Sequence, residues 1–278
     1  MNMQIGIFEK VFYRPTLDAT LDAVREHGLA AVQFDLASAG LPSMPGRIEP
    51  EQAARIRNAL VARGITMAAI SGTFNIIHPD EAVRRDGMRR LRVLAAACPL
   101  LGTRVITLST GTRDTANMWR GHPDNASPAA WRDVVAAMAE IAAIGEESDV
   151  VMAFEPEVNN VVDSARKARR LLDELRSRHI GVVIDGANVF HAGELARMAE
   201  ILDEAFDLLG DHIALAHAKD LDHDGDAGNL PAGHGLLDYD RYVRLLQGCG
   251  YAGALVLHGL DERDVPACAA FLRAKLGT

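Results

Sequence analysis

Apolar and polar positions along the chain fall into a repeating order. Short apolar runs of about five residues, each closed by a polar or glycine-containing turn, alternate with longer stretches whose apolar residues recur three and four apart. Residues 4–8 form the first run, and Leu17, Leu21 and Val24 then mark a helix opened by Thr16 and closed at Gly28. Runs at residues 30–34, 65–70 and 104–108 predict the second to fourth strands, with helices at about 50–63, 80–97 and 127–147 between them. The helix from residue 80 is expected to stop near Pro99. Four later runs, DVVMAFEPE, HIGVVIDGAN, HIALAHAKD and GALVLHGLDE, predict strands five to eight, with helices at about 164–178, 192–209, 239–248 and 263–276.

Eight strand-helix units imply parallel strands joined by right-handed crossovers, and eight such units closing on themselves make an α/β fold of the (β/α)₈, or TIM-barrel, kind. The length of 278 residues suits one such barrel spanning residues 1–278 as a single domain. An open doubly wound sheet is the alternative, but it usually has fewer units, and no GxGxxG follows the first strand.

The last four strands share a further property: each ends on groups that carry chemistry. DVVMAFEPE ends on Glu155 and Glu157 around Pro156, HIGVVIDGAN reaches Asp185, HIALAHAKD reaches His217 and Lys219, and GALVLHGLDE reaches His258. A barrel brings its strand ends to one face, where two carboxylates and one or two imidazoles would form a divalent-metal site. The plainer alternative, a polar residue opening each loop, would suffice for one such strand. Four in succession favour the site.

Composition narrows the field. With 49% hydrophobic and 24% charged residues and few aromatics, the chain is globular with an aliphatic core. The net charge of −9 argues against a surface that neutralises nucleic-acid phosphates and fits a small-molecule substrate. The opening MNMQIGIFEK reaches charge too soon for a signal peptide, and no later run approaches a membrane span, so a cytoplasmic protein without a membrane partner is expected. Cys98, Cys249 and Cys268 are widely spaced, form no CxxC pair and read as helix packing. No P-loop, GxSxG elbow or zinc-ribbon spacing is present.

FEPE at strand five, IDGAN at strand six, HAKD at strand seven, the AGHGLLDY turn and LVLHGL at strand eight together resemble the sugar-phosphate isomerase/epimerase family. Its barrel is shared with xylose isomerase-like proteins and metal-dependent abasic-site endonucleases. The resemblance implies a divalent metal, such as manganese, magnesium, cobalt or zinc, held by a Glu, an Asp, a His and a second Glu. Glu155, Asp185 and His217 match the first three positions, whereas His258 stands at the fourth, where the usual residue is Glu. An imidazole there removes one negative charge and favours softer metals. Asn188 stands where relatives often carry His. The resemblance also implies possible association as dimers or tetramers.

Further candidates come from the loops. Glu157, in step with Glu155, and Lys219, in step with His217, are candidate acid–base groups, with Glu155 and His258 as further catalytic candidates. Asn188, His78, Asn75, Arg113, His122 and His234 are candidate substrate contacts, and Phe74 and Trp119 are candidate shields or interface residues. His27, His179, His191, His212 and His223 read as surface or structural residues. The expected function is metal-dependent isomerisation or epimerisation of a small keto sugar, cyclitol or hydroxy-keto acid through an enediolate. A dehydratase is the nearest alternative, followed by an abasic-site phosphodiesterase and then a non-catalytic sugar-binding barrel.

Overall fold

The computed structural model describes residues 3–277. Eight parallel strands close into a barrel: β1 (Gln4–Phe8), β2 (Ala31–Phe34), β3 (Thr66–Ser71), β4 (Val105–Ser109), β5 (Val151–Glu155), β6 (Ile180–Asp185), β7 (Ile213–Asp220) and, after a two-residue strand β8 (Leu230–Pro231), β9 (Ala254–Leu257). Each barrel strand pairs with its neighbours in that order, and β9 returns to β1. The two-residue β8 pairs antiparallel with Lys219 and Asp220 at the end of β7, a pairing the sequence pattern does not announce.

Helices α1 (Leu17–Glu26), α2 (Pro50–Ala62), α3 (Glu81–Leu101), α4 (Pro128–Ser148), α5 (Ala165–Leu175), α6 (Met198–Leu209), α7 (Tyr239–Gly248) and α8 (Val265–Leu276) surround the barrel. Their starts are chemically marked. Thr16, Asp80, Ser127 and Ser164 accept amide hydrogens of the first turns of α1, α3, α4 and α5, and Pro50 and Pro128 open α2 and α4. Two boundaries differ from expectation. α3 runs through Pro99 to Leu101, because a proline in the last turn forfeits little of the helical ladder before Gly102 ends it in the left-handed conformation. The segment from residue 192 stays irregular, with one 3₁₀ turn at Leu195–Arg197, and α6 begins only at Met198.

Two apolar clusters result from this arrangement. The larger lies between barrel and helices, with Phe34, Ile70, Phe154, Leu172 and Tyr242 among its buried members. The smaller fills the barrel: Phe8, Ala31, Ala69, Ala153, Val183, Leu215, Ala254 and Val256. Four of those eight are alanines, which leaves the bulk to Phe8, Leu215 and the valines. Among the described residues no helix is long and apolar enough to cross a membrane.

Candidate active site

Strand periodicity explains where the polar groups gather. Side chains two apart on a strand share a face. On six of the strands an apolar residue within the barrel is therefore followed by a polar one nearer the mouth: Ala31 by Gln33, Ala69 by Ser71, Ala153 by Glu155, Val183 by Asp185, Leu215 by His217 and Val256 by His258. Gln33, Ser71, Glu155, His217 and His258 line a cavity of about 460 Å³ at the C-terminal mouth. Asp185 is fully buried and lies directly opposite His217 across the β6–β7 pair.

Four acceptors face one another at the floor of this cavity. Oxygen or nitrogen atoms of Asp185, His217 and His258 lie within 4.8 Å of one another. The Nδ1 atom of His217 is 3.6 Å from Glu155 Oε2 and 3.8 Å from Asp185 Oδ2. The opposite ring nitrogen, Nε2, is 2.8 Å from Gln33 Oε1, and the Gln33 amide nitrogen in turn donates to Thr107 Oγ1. Gln33 thus presents its carbonyl to His217, which puts the imidazole hydrogen on Nε2 and leaves a lone pair on Nδ1. Asp185 Oδ2, His217 Nδ1 and His258 Nδ1 are all buried without a hydrogen-bond partner. The Lys219 ammonium, 3.5 Å from Asp185 Oδ2, offsets only part of this, and acceptors left in mutual contact are costly unless a cation sits among them, so this donor set fits a divalent ion.

Protonation states agree with that fit. Burial would raise the Glu155 carboxyl, but nearby positive charge, that of the Lys219 ammonium included, outweighs it and holds the carboxyl below its ordinary value, so it is ionised. Asn188 Nδ2 donates to Glu155 Oε1 at 2.6 Å and steadies it. Burial, reinforced by the Lys219 ammonium, pushes His258 well below the ordinary histidine value, which keeps the ring neutral. Burial works against the Lys219 ammonium, yet Asp185, Glu155 and Glu157 outweigh it and hold its pKa above the ordinary lysine value. Its Nζ is 3.5 Å from Asp185 Oδ2. Burial, with Glu155 nearby, pushes the Glu157 carboxyl up to about 8.

The structure therefore brings Glu155, Glu157, Asp185, Asn188, His217, Lys219 and His258 together. The remaining sequence candidates are placed elsewhere. Asn75 is buried and bridges two loops, donating to Thr112 O and accepting from Thr112 N. The Arg113 guanidinium turns away to Ile77 O and to Asp133 on α4. His78 accepts from Asp80 N, His122 caps the 3₁₀ turn Pro123–Ala126, and His234 is exposed between its glycines. None of these five lines the cavity. Asp222 and His223 are exposed too, so the extra ligands of a multi-zinc centre do not gather there. Trp119 lies at the rim, whereas Phe74 does not line the cavity.

Other lining residues escaped sequence reasoning: Phe8, Lys10, Gln33, Asp35, Asn159 and Asp226. Gln33 was the most legible of these, as the single polar residue inside AVQF. Asp220 of HAKD has a structural task instead. Buried, it accepts from Leu221 N, Leu237 N and Gly233 N and thereby folds the AGHGLL turn against β7. A methyl group on Gly235 would meet Leu221 O at 2.3 Å and Asp220 Oδ1 at 2.5 Å, which explains the second glycine of that turn.

Comparison with known proteins identifies the lineage. The family described as the xylose isomerase-like TIM barrel matches residues 21–274. The chain belongs to this family. Within curated proteins, this xylose isomerase-like barrel is 23% identical to the L-ribulose-5-phosphate 3-epimerase UlaE of Shigella flexneri, over 97% of its own length and 92% of the relative's. Among solved structures, the 3-keto-D-glucoside 4-epimerase YcjR of E. coli superposes with a TM-score of 0.73 at 18% identity, covering 98% of this chain and 99% of that one. A xylose isomerase domain protein of Planctomyces limnophilus gives 0.74 at 18% identity, covering 99% and 96%. At such identities the solved structures establish the shared fold.

Proposed function

We propose that this xylose isomerase-like barrel is a divalent-metal-dependent isomerase or epimerase of a small polyhydroxylated carbonyl compound. The observation that carries the reading is the cluster of orphaned acceptors on Asp185, His217 and His258, with ionised Glu155 beside them, at the floor of a cavity. The likeness to UlaE over nearly the whole chain supports a sugar as substrate. Glu155, Asp185, His217 and His258 would hold the ion, which when bound supplies Lewis-acid polarisation of a carbonyl and its neighbouring hydroxyl.

The rest of the chemistry belongs to side chains. Glu157 faces the same cavity without being among the clustered acceptors, and its ionised form, which a cation bound at the floor would favour against the burial that raises its carboxyl, is the group to take the proton from the carbon next to the carbonyl, leaving an enediolate. Lys219, a buried ammonium, stabilises the oxygen on which charge develops. Return of the proton by Glu157 to the neighbouring carbon gives aldose–ketose isomerisation. Inversion at the original carbon needs a second donor, and Lys219 is the residue available. Asn188 anchors Glu155, while its Oδ1 accepts from Gly228 N, which keeps the loop after β7 against the site.

The test is solvent exchange. Manganese- or cobalt-loaded protein incubated in D₂O with a panel of ketopentoses and ketohexoses should introduce deuterium next to the carbonyl, read by NMR. Glu157→Gln should lower that exchange by about 10²-fold or more while leaving metal content unchanged. Absence of exchange from every member of the panel would remove the reading.

A further inference from the structure

We propose that the sugar taken by this site is uncharged, a free ketose rather than its phosphate ester. The inference rests on the reading of the cavity as a sugar-isomerising site. It comes from where the cavity's cations are spent. Two lysines line it, and neither is free for a phosphate: Lys219 Nζ lies 3.5 Å from Asp185 and is the group assigned to the reacting oxygen, while Lys10 Nζ lies 3.5 Å from Asp35 and 4.5 Å above the Phe8 ring. No arginine is among the lining residues described. The two arginines of the loop after β4 turn elsewhere, Arg113 to Asp133 and Arg120 to Asp114.

The loops where a TIM barrel ordinarily receives a phosphate point the same way. Such sites form after the seventh and eighth barrel strands, where backbone amides and cations meet the dianion. Here the loop after β7 carries Asp222, Asp224 and Asp226 and contains no lysine or arginine. The loop after β9 carries Asp261, Glu262 and Asp264, and its one cation, Arg263, is 3.1 Å from Asp261. Asp226 lines the cavity itself, held by Asn159 Nδ2 at 2.5 Å. A dianion arriving at this rim meets carboxylates and finds no uncommitted guanidinium, which is discrimination by repulsion. An uncharged polyol instead meets hydroxyl and amide groups, Ser71, Thr107, Ser109 and Asn159, with the exposed indole of Trp119 at the rim for its apolar face. A cavity of about 460 Å³ accommodates one monosaccharide.

The deciding experiment uses matched pairs, L-ribulose with L-ribulose 5-phosphate and D-fructose with D-fructose 6-phosphate, on the metal-loaded full chain. Binding is followed by calorimetry and turnover by deuterium exchange. In at least one pair the free sugar should exceed its ester by about 100-fold in kcat/KM. Asp226→Asn should narrow that gap several-fold, as should raising the ionic strength from about 0.02 to 0.2 M. An ester bound and turned over as well as or better than its free sugar overturns the inference while leaving the isomerase reading intact. Failure of all four compounds both to bind and to exchange removes the isomerase reading, and the inference falls with it.

Discussion

The imidazoles of His217 and His258 lie parallel, with 6° between their planes and 5.0 Å between their centroids. Phe8 stacks on His258 at 5.6 Å and 14°, so three rings from β7, from the end of β9 and from β1 form one column. The column holds both imidazoles beside the Asp185 carboxylate. An imidazole held in this way needs no reorientation to meet a cation.

The first prediction concerns that ligand. His258→Ala should weaken metal binding by at least about 10²-fold, and His258→Glu should restore binding while moving preference from zinc or cobalt toward manganese or magnesium. Chelator competition with each metal measures both. Unchanged affinity in His258→Ala would place His258 outside the metal shell.

Gln33 acts one step behind. Its carbonyl accepts from His217 Nε2 and thereby sets the ring's tautomer. Gln33→Leu should reduce metal affinity about 10- to 100-fold, the usual cost of losing such an outer contact. The circular-dichroism spectrum should stay that of the parent. Equal affinity would show that the ring orients without Gln33.

Asp220 tests the turn rather than the ion. Asp220→Ala strands three backbone N–H groups, those of Leu221, Gly233 and Leu237, and should cost roughly 3 kcal/mol of stability by urea unfolding. A loss below about 0.5 kcal/mol would mean that water takes over the three bonds.

A fourth prediction concerns pH. Glu9 is fully buried, and burial pushes its carboxyl from 4.5 up to about 8 despite the hydrogen bond from Asp35 N. Between those values the folded chain keeps a proton that the unfolded chain has lost, so stability falls as pH rises from about 4.5 to 8 and levels beyond. The full difference is up to about 5 kcal/mol. Glu9→Gln should flatten this decline. Melting temperatures of both proteins at several pH values in that window, read as a difference, decide it.

Much of this architecture can be read from the chain because barrel strands announce themselves twice, as apolar runs and by the polar residue on which each run ends. Glu155, Asp185, His217 and His258 stood out for that reason. Loop residues are less legible. His78, Arg113, His122 and His234 all lie in loops that follow barrel strands, yet sequence carries no direction for a side chain, and local partners such as Asp80 N and Asp133 capture three of them outside the cavity. Gln33 and Asp35 were passed over because their strand ends without a carboxylate–imidazole motif. Asp226 lies six residues beyond β7, where only the folded loop reveals that it returns to the mouth.

The alternation of Ala153 with Glu155, Val183 with Asp185 and Leu215 with His217 has an evolutionary reach. On each strand one residue fills space and another, two positions later, bears function, so mutation can reach either without passing through the other. The floor of this barrel is a chassis on which ligands at the mouth can be exchanged singly. A change of the residue at position 258 would leave the packing of Val256 beneath it undisturbed.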